Sequence, residues 1–439
     1  MSTDSNNIPL FVRNYLNKFS EKVYNVETNS KQTFHNIIVI PCVAESENIK
    51  IVLSSLSQND SGYLNDTLIL FVINNSKSDS DEVKNNNLQS INYLKDELHN
   101  VNVIRHLGFI DATTPGNEMD HKHAGVGLAR KIGMDAALLH FNYSSPDKNI
   151  LICLDADCKV SENYLKTIVD EFNSKNLSAA SLNFEHPVET NINTSDAIIC
   201  YELFLRYYVV GLKLANSPYA FETIGSSMAC DVESYIKIGG MNKKKAAEDF
   251  YFLEKLSKVT SIHTIKKPLV YPSGRRSWRV PFGTGQRVGR FLDRIKDEYL
   301  LYDIRCFIVL KQWLESFSNT ESSPSEFLQA SKIISEELYN FLLNNDFKNS
   351  LSKIISNSKN IGQIEKQKRN WFDGFRTLKL IHHLRDTEFP LVNMFDALDQ
   401  IFDYFNVSKP DRNNSVAIPD LALQKEYLFK LRELEMSIN

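Results

Sequence analysis

The sequence predicts an α/β protein with a doubly wound sheet, because strand-like and helix-like segments alternate from residue 35 onward. Two continuous apolar runs, Ile37–Ile40 and Leu68–Ile73, have the length of strands that are buried on both faces. Between them, Glu47–Leu56 places its apolar residues on one helical face. Short connections between such segments are typical of βαβ units flanked by helices.

The alternation continues toward residue 154. The pattern predicts a polar helix near Asp81–Leu98, a short strand at Val101–Arg105, a helix over Gly125–Leu139 and a strand at Asn149–Leu154. Ligands of such sheets bind beyond the carboxyl ends of the strands. We therefore expect the functional residues directly after each strand.

Three regions are expected along the chain. Residues 1–34 are a polar lead-in with one short helix around Leu10–Phe19, residues 35–291 form the α/β domain, and residues 292–439 are α-helical. In the last region apolar residues recur at helical spacing. A capping box at Ser323-Pro324-Ser325-Glu326 predicts a helix that runs through Leu343.

Charge and composition exclude several classes of protein. The 439 residues carry 50 Lys and Arg against 54 Asp and Glu, which gives no basic footprint for nucleic-acid binding. Neither a run of about 18 apolar residues nor a signal-peptide pattern is visible, so we expect no transmembrane segment. The six cysteines form no CxxC pair and indicate buried thiols in a reducing compartment. We expect a cytoplasmic protein, with peripheral membrane association as a further possibility.

The first candidate site is Asp155-Ala156-Asp157, which follows the strand that ends near Leu154. Two carboxylates at this spacing can reach one hard cation, and oxygen ligands suit Mg²⁺ or Mn²⁺. Glu45 and Asn75 follow the first and second strands and should lie at the same edge of the sheet. The alternative is that Asp-x-Asp is simply the polar turn that ends a strand.

The second candidate is Gly125-Val126-Gly127, which opens a helix and is followed by Arg130. A dinucleotide-binding fingerprint requires a third glycine at the position of Arg130, so a Rossmann dehydrogenase is poorly supported. The start of a helix with a basic pair could instead meet a diphosphate, with Arg130 or Lys131 as the counter-charge.

The third and fourth candidates lie farther along the chain. Glu248 and Asp249 open an amphipathic helix, where they either complement the helix dipole or provide a general base. A loop with Arg275, Arg276 and Arg279 offers guanidinium groups that match phosphate geometry, unless it is only a solvated basic turn.

The order of these motifs over residues 35–290 resembles the GT-A glycosyltransferases, especially family 2. The resemblance implies a GT-A-type mixed sheet and a nucleotide-diphosphate sugar donor, with Glu45 and Asn75 beside the base and ribose. It implies that Asp157, next to Asp155, ligates Mn²⁺ or Mg²⁺ as part of a DXD motif. His263 is the candidate for a further metal ligand. Asp249 is implied as the general base of an inverting reaction, and the three arginines are implied near the diphosphate or an anionic acceptor.

The resulting expectation is an enzyme of glycan biosynthesis that moves a sugar from a UDP- or GDP-sugar to a hydroxyl of a small molecule, glycan or lipid-linked intermediate. Two alternatives stay open. One is a catalytically silent nucleotide-sugar-binding protein that acts through a protein partner. The other is a nucleotidyltransferase, which would release pyrophosphate. The C-terminal helices are the expected contact of a homo-oligomer.

Overall fold

The computed structural model describes residues 8–20, 24–100, 104–188, 192–276, 283–413 and 415–438. The chain forms two compact units. The first consists of Met1–Pro187 and Thr223–Gln286, and the second of Val188–Glu222 and Arg287–Asn439. The boundaries expected at residues 34 and 291 stay a prediction, and the observed division differs from it by assigning Val188–Glu222 to the unit of the C-terminal helices.

The helices and strands of the first unit account for most of the chain up to residue 271. They are α1 (Leu10–Phe19), β1 (Val26–Thr28), β2 (Asn36–Cys42), α2 (Ser46–Leu56), α3 (Ser61–Asn65), β3 (Thr67–Asn74), α4 (Asp81–His99), β4 (Leu107–Ala112), α5 (Val126–Ala137), β5 (Ile150–Cys153), β6 (Lys159–Val160), α6 (Tyr164–Ser174) and β7 (Ala179–Phe184). After α7 (Ile192–Leu214), which belongs to the second unit, follow β8 (Met228–Asp231), α8 (Val232–Lys237), α9 (Glu248–Ser257) and β9 (His263–Tyr271).

The remaining elements are mainly helical. They are α10 (Thr284–Leu292), β10 (Leu300–Leu301), α11 (Ile304–Phe317), α12 (Pro324–Ile334), α13 (Glu336–Asn344), α14 (Phe347–Asn357), α15 (Ile361–Trp371), α16 (Gly374–Thr387), β11 (Val392–Asn393), α17 (Met394–Tyr404) and α18 (Leu421–Ser437).

Within the described residues, nine strands form one mixed sheet in the order β1-β4-β3-β2-β5-β8-β7-β9-β6. Strands β4, β3, β2 and β5 are parallel neighbours, whereas β8 runs antiparallel to both β5 and β7. The two apolar runs of the sequence became β2 and β3 at the centre of the sheet, where nearly every side chain is buried. The predicted mixed α/β sheet flanked by helices, with a C-terminal helical region, is confirmed.

One predicted strand was misplaced. Of the expected strand Val101–Arg105, residues 101–103 lie outside the described residues, and the observed strand β4 begins at Leu107. Gly108 weakens the strand pattern in the sequence, because glycine has no side chain to pack. In the structure a Cβ at Gly108 would lie 3.2 Å from the carbonyl oxygen of Glu27, so glycine permits the close approach of β1.

Helix α1 is attached to the first unit through a buried polar network. The Tyr15 hydroxyl donates a 2.7 Å hydrogen bond to Asp135 Oδ1 on α5, and Tyr235 donates a second bond of 2.7 Å. Lys131 Nζ lies 2.9 Å from the other Asp135 oxygen. Burial raises the pKa of Asp135 despite these partners. Each hydroxyl therefore helps to offset the cost of burying a carboxylate.

Replacing Tyr15 with Phe should lower the free energy of unfolding by about 1–3 kcal/mol, because the buried Asp135 carboxylate loses one of its two hydroxyl donors. Denaturant unfolding of the full chain would measure this loss. Tyr63→Phe is the matched control, since its hydroxyl donates a 2.7 Å bond to Asp170 at the exposed surface. The control should change stability by at most about 0.5 kcal/mol. Equal effects of the two variants would contradict a special role for Tyr15.

The second unit has its own core, built by α7 together with the helices that follow residue 287. Arg206 of α7 is completely buried and lies between Glu202 of the same helix and Glu435 of α18, at 2.7 and 2.6 Å. A buried guanidinium requires such partners.

No helix in the described part of the chain is long and apolar enough to cross a membrane.

The expected capping box is present, but the helix that it begins is shorter than predicted. The Ser323 backbone N–H donates to Glu326 Oε2 at 2.6 Å, and the Ser323 hydroxyl accepts from the Glu326 backbone. The helix ends at Ile334 and a second helix begins at Glu336. Ser335 separates them because its hydroxyl accepts from two backbone N–H groups of the following turn.

Candidate active site

The candidate active site lies at the carboxyl edge of the sheet in the first unit. Glu45 follows β2, and Asp155 and Asp157 follow β5, which is the parallel neighbour of β2. Tyr271 at the end of β9 pairs with Lys159, so the loop with Arg275 begins close to the loop with the aspartates. The topology therefore gathers at one edge residues that are far apart in sequence.

Arg130 of α5 is the buried centre of this site. Its Nη1 donates to Glu248 Oε1 and its Nη2 donates to Asp155 Oδ1. The guanidinium is almost inaccessible to solvent, and two carboxylates offset the cost of burying it. Gly225 packs directly on the guanidinium, and a Cβ at this position would collide with it. The glycine that the sequence places before Ser226 is thus required by close packing.

The glycines that precede Arg130 also serve packing. A Cβ at Gly127 would lie 2.8 Å from the carbonyl oxygen of Asn242 and would collide with that of Lys244. This close approach brings the start of α9, and with it Glu248, to Arg130. The predicted role of Arg130 as counter-charge for a diphosphate stays a prediction. Lys131, the alternative, is buried against Asp135 instead.

A second group of ion-paired side chains joins three chain segments, with Arg275 between Glu45 and Asp157. Arg275 Nη2 lies 2.6 Å from both carboxylate oxygens of Glu45 and 3.1 Å from Asp157 Oδ2. Arg275 Nε is 3.3 Å from the same Asp157 oxygen. Burial and the neighbouring charge of Asp155 raise the pKa of Asp157, whereas Arg275 opposes this shift. The predicted nucleotide-binding and metal-binding residues are therefore in direct contact here.

Asp249 lies beside the Arg130 cluster at the start of α9. Its Oδ1 accepts a 2.8 Å hydrogen bond from the backbone N–H of Phe250. Burial, followed by the negative charge of Glu248, raises the pKa of Asp249 to about 7, and the charge of Arg130 opposes the shift. A carboxylate with this pKa can accept a proton near neutral pH.

Strained backbone precedes two of the site carboxylates. Ala44 and Ala247 have φ angles of 52° and 57°, in the left-handed region, and they stand directly before Glu45 and Glu248. For a residue with a Cβ this region costs about 1–2 kcal/mol. Such strain persists only where the surroundings enforce it. At Ala44 the backbone N–H donates a 2.9 Å bond to Asn87 Oδ1.

Asn75 lies at the same edge, but its side chain is buried. Its Oδ1 accepts from Asn87 Nδ2 at 3.0 Å and from the Thr113 hydroxyl, and its Nδ2 donates to the Ser76 carbonyl at 3.0 Å. The side chain thus shapes the loops after β3 and β4. The expectation that it lies beside a base or ribose stays a prediction.

The structure does not bring His263 to the two aspartates. His263 is the first residue of β9 and lies 3.3 Å from Glu171 of α6. Tyr271, at the other end of the same strand, adjoins the Asp157 loop. At about 3.3 Å per residue, the two ends are on the order of 25 Å apart. The sequence placed His263 incorrectly because strand direction is not visible from residue types.

The other two arginines of the predicted loop have different outcomes. Arg276 is exposed beside Arg275. Arg279 lies outside the described residues.

Sequence reasoning missed Asn87, which supports the Glu45 loop from α4. Asn87 is fully buried, and its Nδ2 also donates to the Asn74 carbonyl at 2.9 Å. The sequence does contain a signal for this role: Asn87 occupies the helix face that also carries the apolar residues Val83, Ile91 and Leu94. A polar side chain on a buried helix face indicates a specific hydrogen-bonding role.

The donor set at the site fits a divalent cation in part. No group of three or more His, Cys, Asp or Glu side chains that could hold a metal ion occurs in the described residues. However, Mg²⁺ and Mn²⁺ are often held by one or two carboxylates together with substrate phosphates and water. Asp155 and Asp157 provide such carboxylates, and the Arg275 guanidinium between Glu45 and Asp157 shows that a cation is accommodated there.

The chain is thus a mixed α/β protein with an ion-paired site at the carboxyl edge of its sheet. No protein-family model matches it, and no curated protein matches it. Among solved structures it is similar to S. aureus TarS 1–349, with 12% identity, a TM-score of 0.37, and coverage of 92% of this chain and 91% of that one. The same protein in complex with UDP-GlcNAc gives 13% identity, a TM-score of 0.38 and the same coverage.

A further similar structure is the mannosyltransferase PcManGT from Pyrobaculum calidifontis, in complex with GDP-Man and Mn²⁺. It shares 12% identity with this chain, with a TM-score of 0.36 and coverage of 96% of this chain and 92% of that one.

Proposed function

We propose that the protein transfers a sugar from a nucleotide-diphosphate donor to an acceptor hydroxyl. The observation that carries this proposal is the convergence of two kinds of group at one sheet edge. One is the carboxylate Asp249, whose pKa is about 7. The other is the ion-paired cluster of Arg275 with Glu45 and Asp157. The first can accept a proton, and the second can exchange its partners for a charged ligand.

In the proposed donor site, Arg275 binds oxygens of the diphosphate, because a guanidinium matches phosphate geometry. Glu45 and Asn75 lie beside the base and ribose, and Arg276 and Arg279 contribute further positive charge. Asp157 and Asp155 would hold Mn²⁺ or Mg²⁺, and such an ion supplies positive charge that stabilises the departing diphosphate.

In the proposed acceptor site, Asp249 accepts the proton of the acceptor hydroxyl. The hydroxyl oxygen forms a bond to the anomeric carbon as the bond from that carbon to the diphosphate oxygen breaks, and the nucleoside diphosphate leaves. Attack from the face opposite the leaving group inverts the anomeric configuration. Glu248 is held by Arg130 and positions the first turn of α9, which carries Asp249.

A thermal-shift titration with UDP and GDP, each with and without Mn²⁺, tests the donor class. A ligand at about 100 times its dissociation constant stabilises the folded state by roughly 2.7 kcal/mol, which raises the melting temperature measurably. We expect one of the two nucleotides to do this in a manganese-dependent manner, with CDP, TDP and ADP as matched controls. No shift with any nucleotide would contradict the proposal.

Product analysis with UDP-GlcNAc and GDP-mannose separates the remaining alternatives. Glycosyl transfer or slow donor hydrolysis releases a nucleoside diphosphate. A nucleotidyltransferase would release pyrophosphate instead. Binding without any turnover of either donor would favour the nucleotide-sugar-binding protein.

A further inference from the structure

We propose that Arg275 is a resident cation that competes with a divalent metal ion for Asp157. A metal ion then binds tightly only after Arg275 has left this carboxylate. A diphosphate, which attracts both the guanidinium and the metal ion, is the ligand that favours the exchange. This last step rests on the proposed function, whereas the competition itself does not.

The competition follows from the atoms that Arg275 contacts. Its Nη2 and Nε both lie within 3.3 Å of the same Asp157 oxygen. A Mg²⁺ ion ligated by a carboxylate stands about 2.0–2.1 Å from the oxygen. The ion and the guanidinium would then be in near contact at one carboxylate. Two cations so close repel each other strongly where solvent screening is weak.

Exposure indicates which partner of the pair can move. The Glu45 side chain is 5% exposed and that of Asp157 is 24% exposed, whereas the Arg275 side chain is 38% exposed. The anions are therefore fixed in the protein, and the cation lies at the surface. A buried carboxylate such as Glu45 needs a positive partner. A divalent cation at this position would supply the positive charge that Arg275 now supplies.

The second guanidinium of the site is not exchangeable in this way. The Arg130 side chain is buried between Glu248 and Asp155, and Gly225 packs on it. Asp155 thus keeps one oxygen on Arg130. Asp157 is the carboxylate at which metal and guanidinium exchange. Linkage then requires that the metal and the diphosphate increase each other's affinity by the same factor.

Electron paramagnetic resonance of Mn²⁺ tests the competition without any turnover. The full chain is titrated with Mn²⁺ alone, and the signal of free Mn²⁺ gives the dissociation constant. Arg275→Gln should bind Mn²⁺ about tenfold more tightly than wild type, within the usual range of coupling between sites. Arg105→Gln is the matched control, because it removes the same charge from an exposed arginine that donates to Asn65 and not to a site carboxylate. Its affinity should stay within about twofold of wild type.

Further variants fix the assignment. Asp157→Asn in the Arg275→Gln background should abolish the gain in Mn²⁺ affinity. Arg275→Lys should give an intermediate affinity, because a lysine cannot bridge two carboxylates as a guanidinium does. The melting temperature of each variant verifies that it folds. An unchanged or weaker affinity in Arg275→Gln, or an equal gain in Arg105→Gln, would overturn the proposal.

Addition of UDP or GDP separates this inference from the proposed function. In wild type the nucleotide should increase Mn²⁺ affinity, and in Arg275→Gln the increase should be smaller. If no nucleotide binds to either protein, the proposed function fails. The comparison with Mn²⁺ alone still decides whether Arg275 competes for Asp157.

Discussion

Arg130→Gln should lower the free energy of unfolding by about 3–5 kcal/mol, because it leaves buried carboxylates without their cation. Glu248 and Asp155 each lie on one Nη atom of this guanidinium. Burial already raises the pKa of Glu248, and Arg130 opposes that shift. Glutamine keeps hydrogen-bond donors but no charge. Urea unfolding of the full chain measures the change as a lower midpoint.

The matched control is Arg105→Gln. Arg105 is exposed, and its Nη1 donates a 3.1 Å hydrogen bond to Asn65. A surface substitution of this kind should change stability by at most about 0.5 kcal/mol. A loss below about 1 kcal/mol in Arg130→Gln would mean that the carboxylates are hydrated or protonated, and that Arg130 does not organise the site.

Asp249→Asn should reduce the rate of sugar transfer by a factor of about 10²–10⁴, the usual contribution of a positioned general base. Nucleotide binding should persist, since the variant alters neither Arg275 nor Asp157. Steady-state kinetics together with the nucleotide titration measure the two effects. Asp170→Asn is the control, because Asp170 is a surface partner of Lys166 at 2.9 Å. A residual rate above one tenth of wild type, on the order of 10⁻¹, would contradict the role of Asp249.

The pKa of Asp249 also sets a pH dependence. A general base works only when deprotonated, so kcat/KM should rise with pH through about 7, the pKa of Asp249. Stability should change in the opposite direction. An unfolded aspartate loses its proton near pH 4, whereas Asp249 keeps its proton up to about pH 7 in the folded state. The unfolded state therefore binds fewer protons in this interval, and stability falls as the pH rises.

The Asp249→Asn variant tests the predicted direction in which stability changes with pH. Asp249→Asn should be more stable than wild type above pH 7, and the difference should vanish toward pH 4. Urea midpoints at these two pH values provide the measurement. A variant that is less stable than wild type at pH 8 would show that the ionised carboxylate has a stabilising partner.

The centre of the sheet could be predicted because its strands carry the signal themselves. Strands β2 and β3 are buried on both faces, so their residues are apolar without interruption. The site edge followed from the same pattern, since polar residues stand directly after such strands. Strand β4 was harder to predict, because Gly108 interrupts its apolar pattern. Glycine is present there because β1 packs closely against it.

The partners within the site could not be predicted. Arg275 and Glu45 are 230 positions apart, and no local pattern links them. The same holds for Arg130 and Glu248, which are 118 positions apart. The prediction of His263 as a metal ligand failed for the same reason, because a residue type does not show which end of a strand it occupies. Long-range ion pairs depend on topology, which residue spacing leaves open.

The buried Arg206 has a consequence for the way the chain folds during synthesis. Its partner Glu435 is 229 positions later in the sequence. At about 5–20 residues per second, a ribosome needs roughly 10–45 s to make the intervening chain. During that time α7 has left the ribosome while the helix that completes its burial does not yet exist. The second unit therefore closes only after α18 has been synthesised, and α7 is the segment that a holding chaperone would have to protect until then.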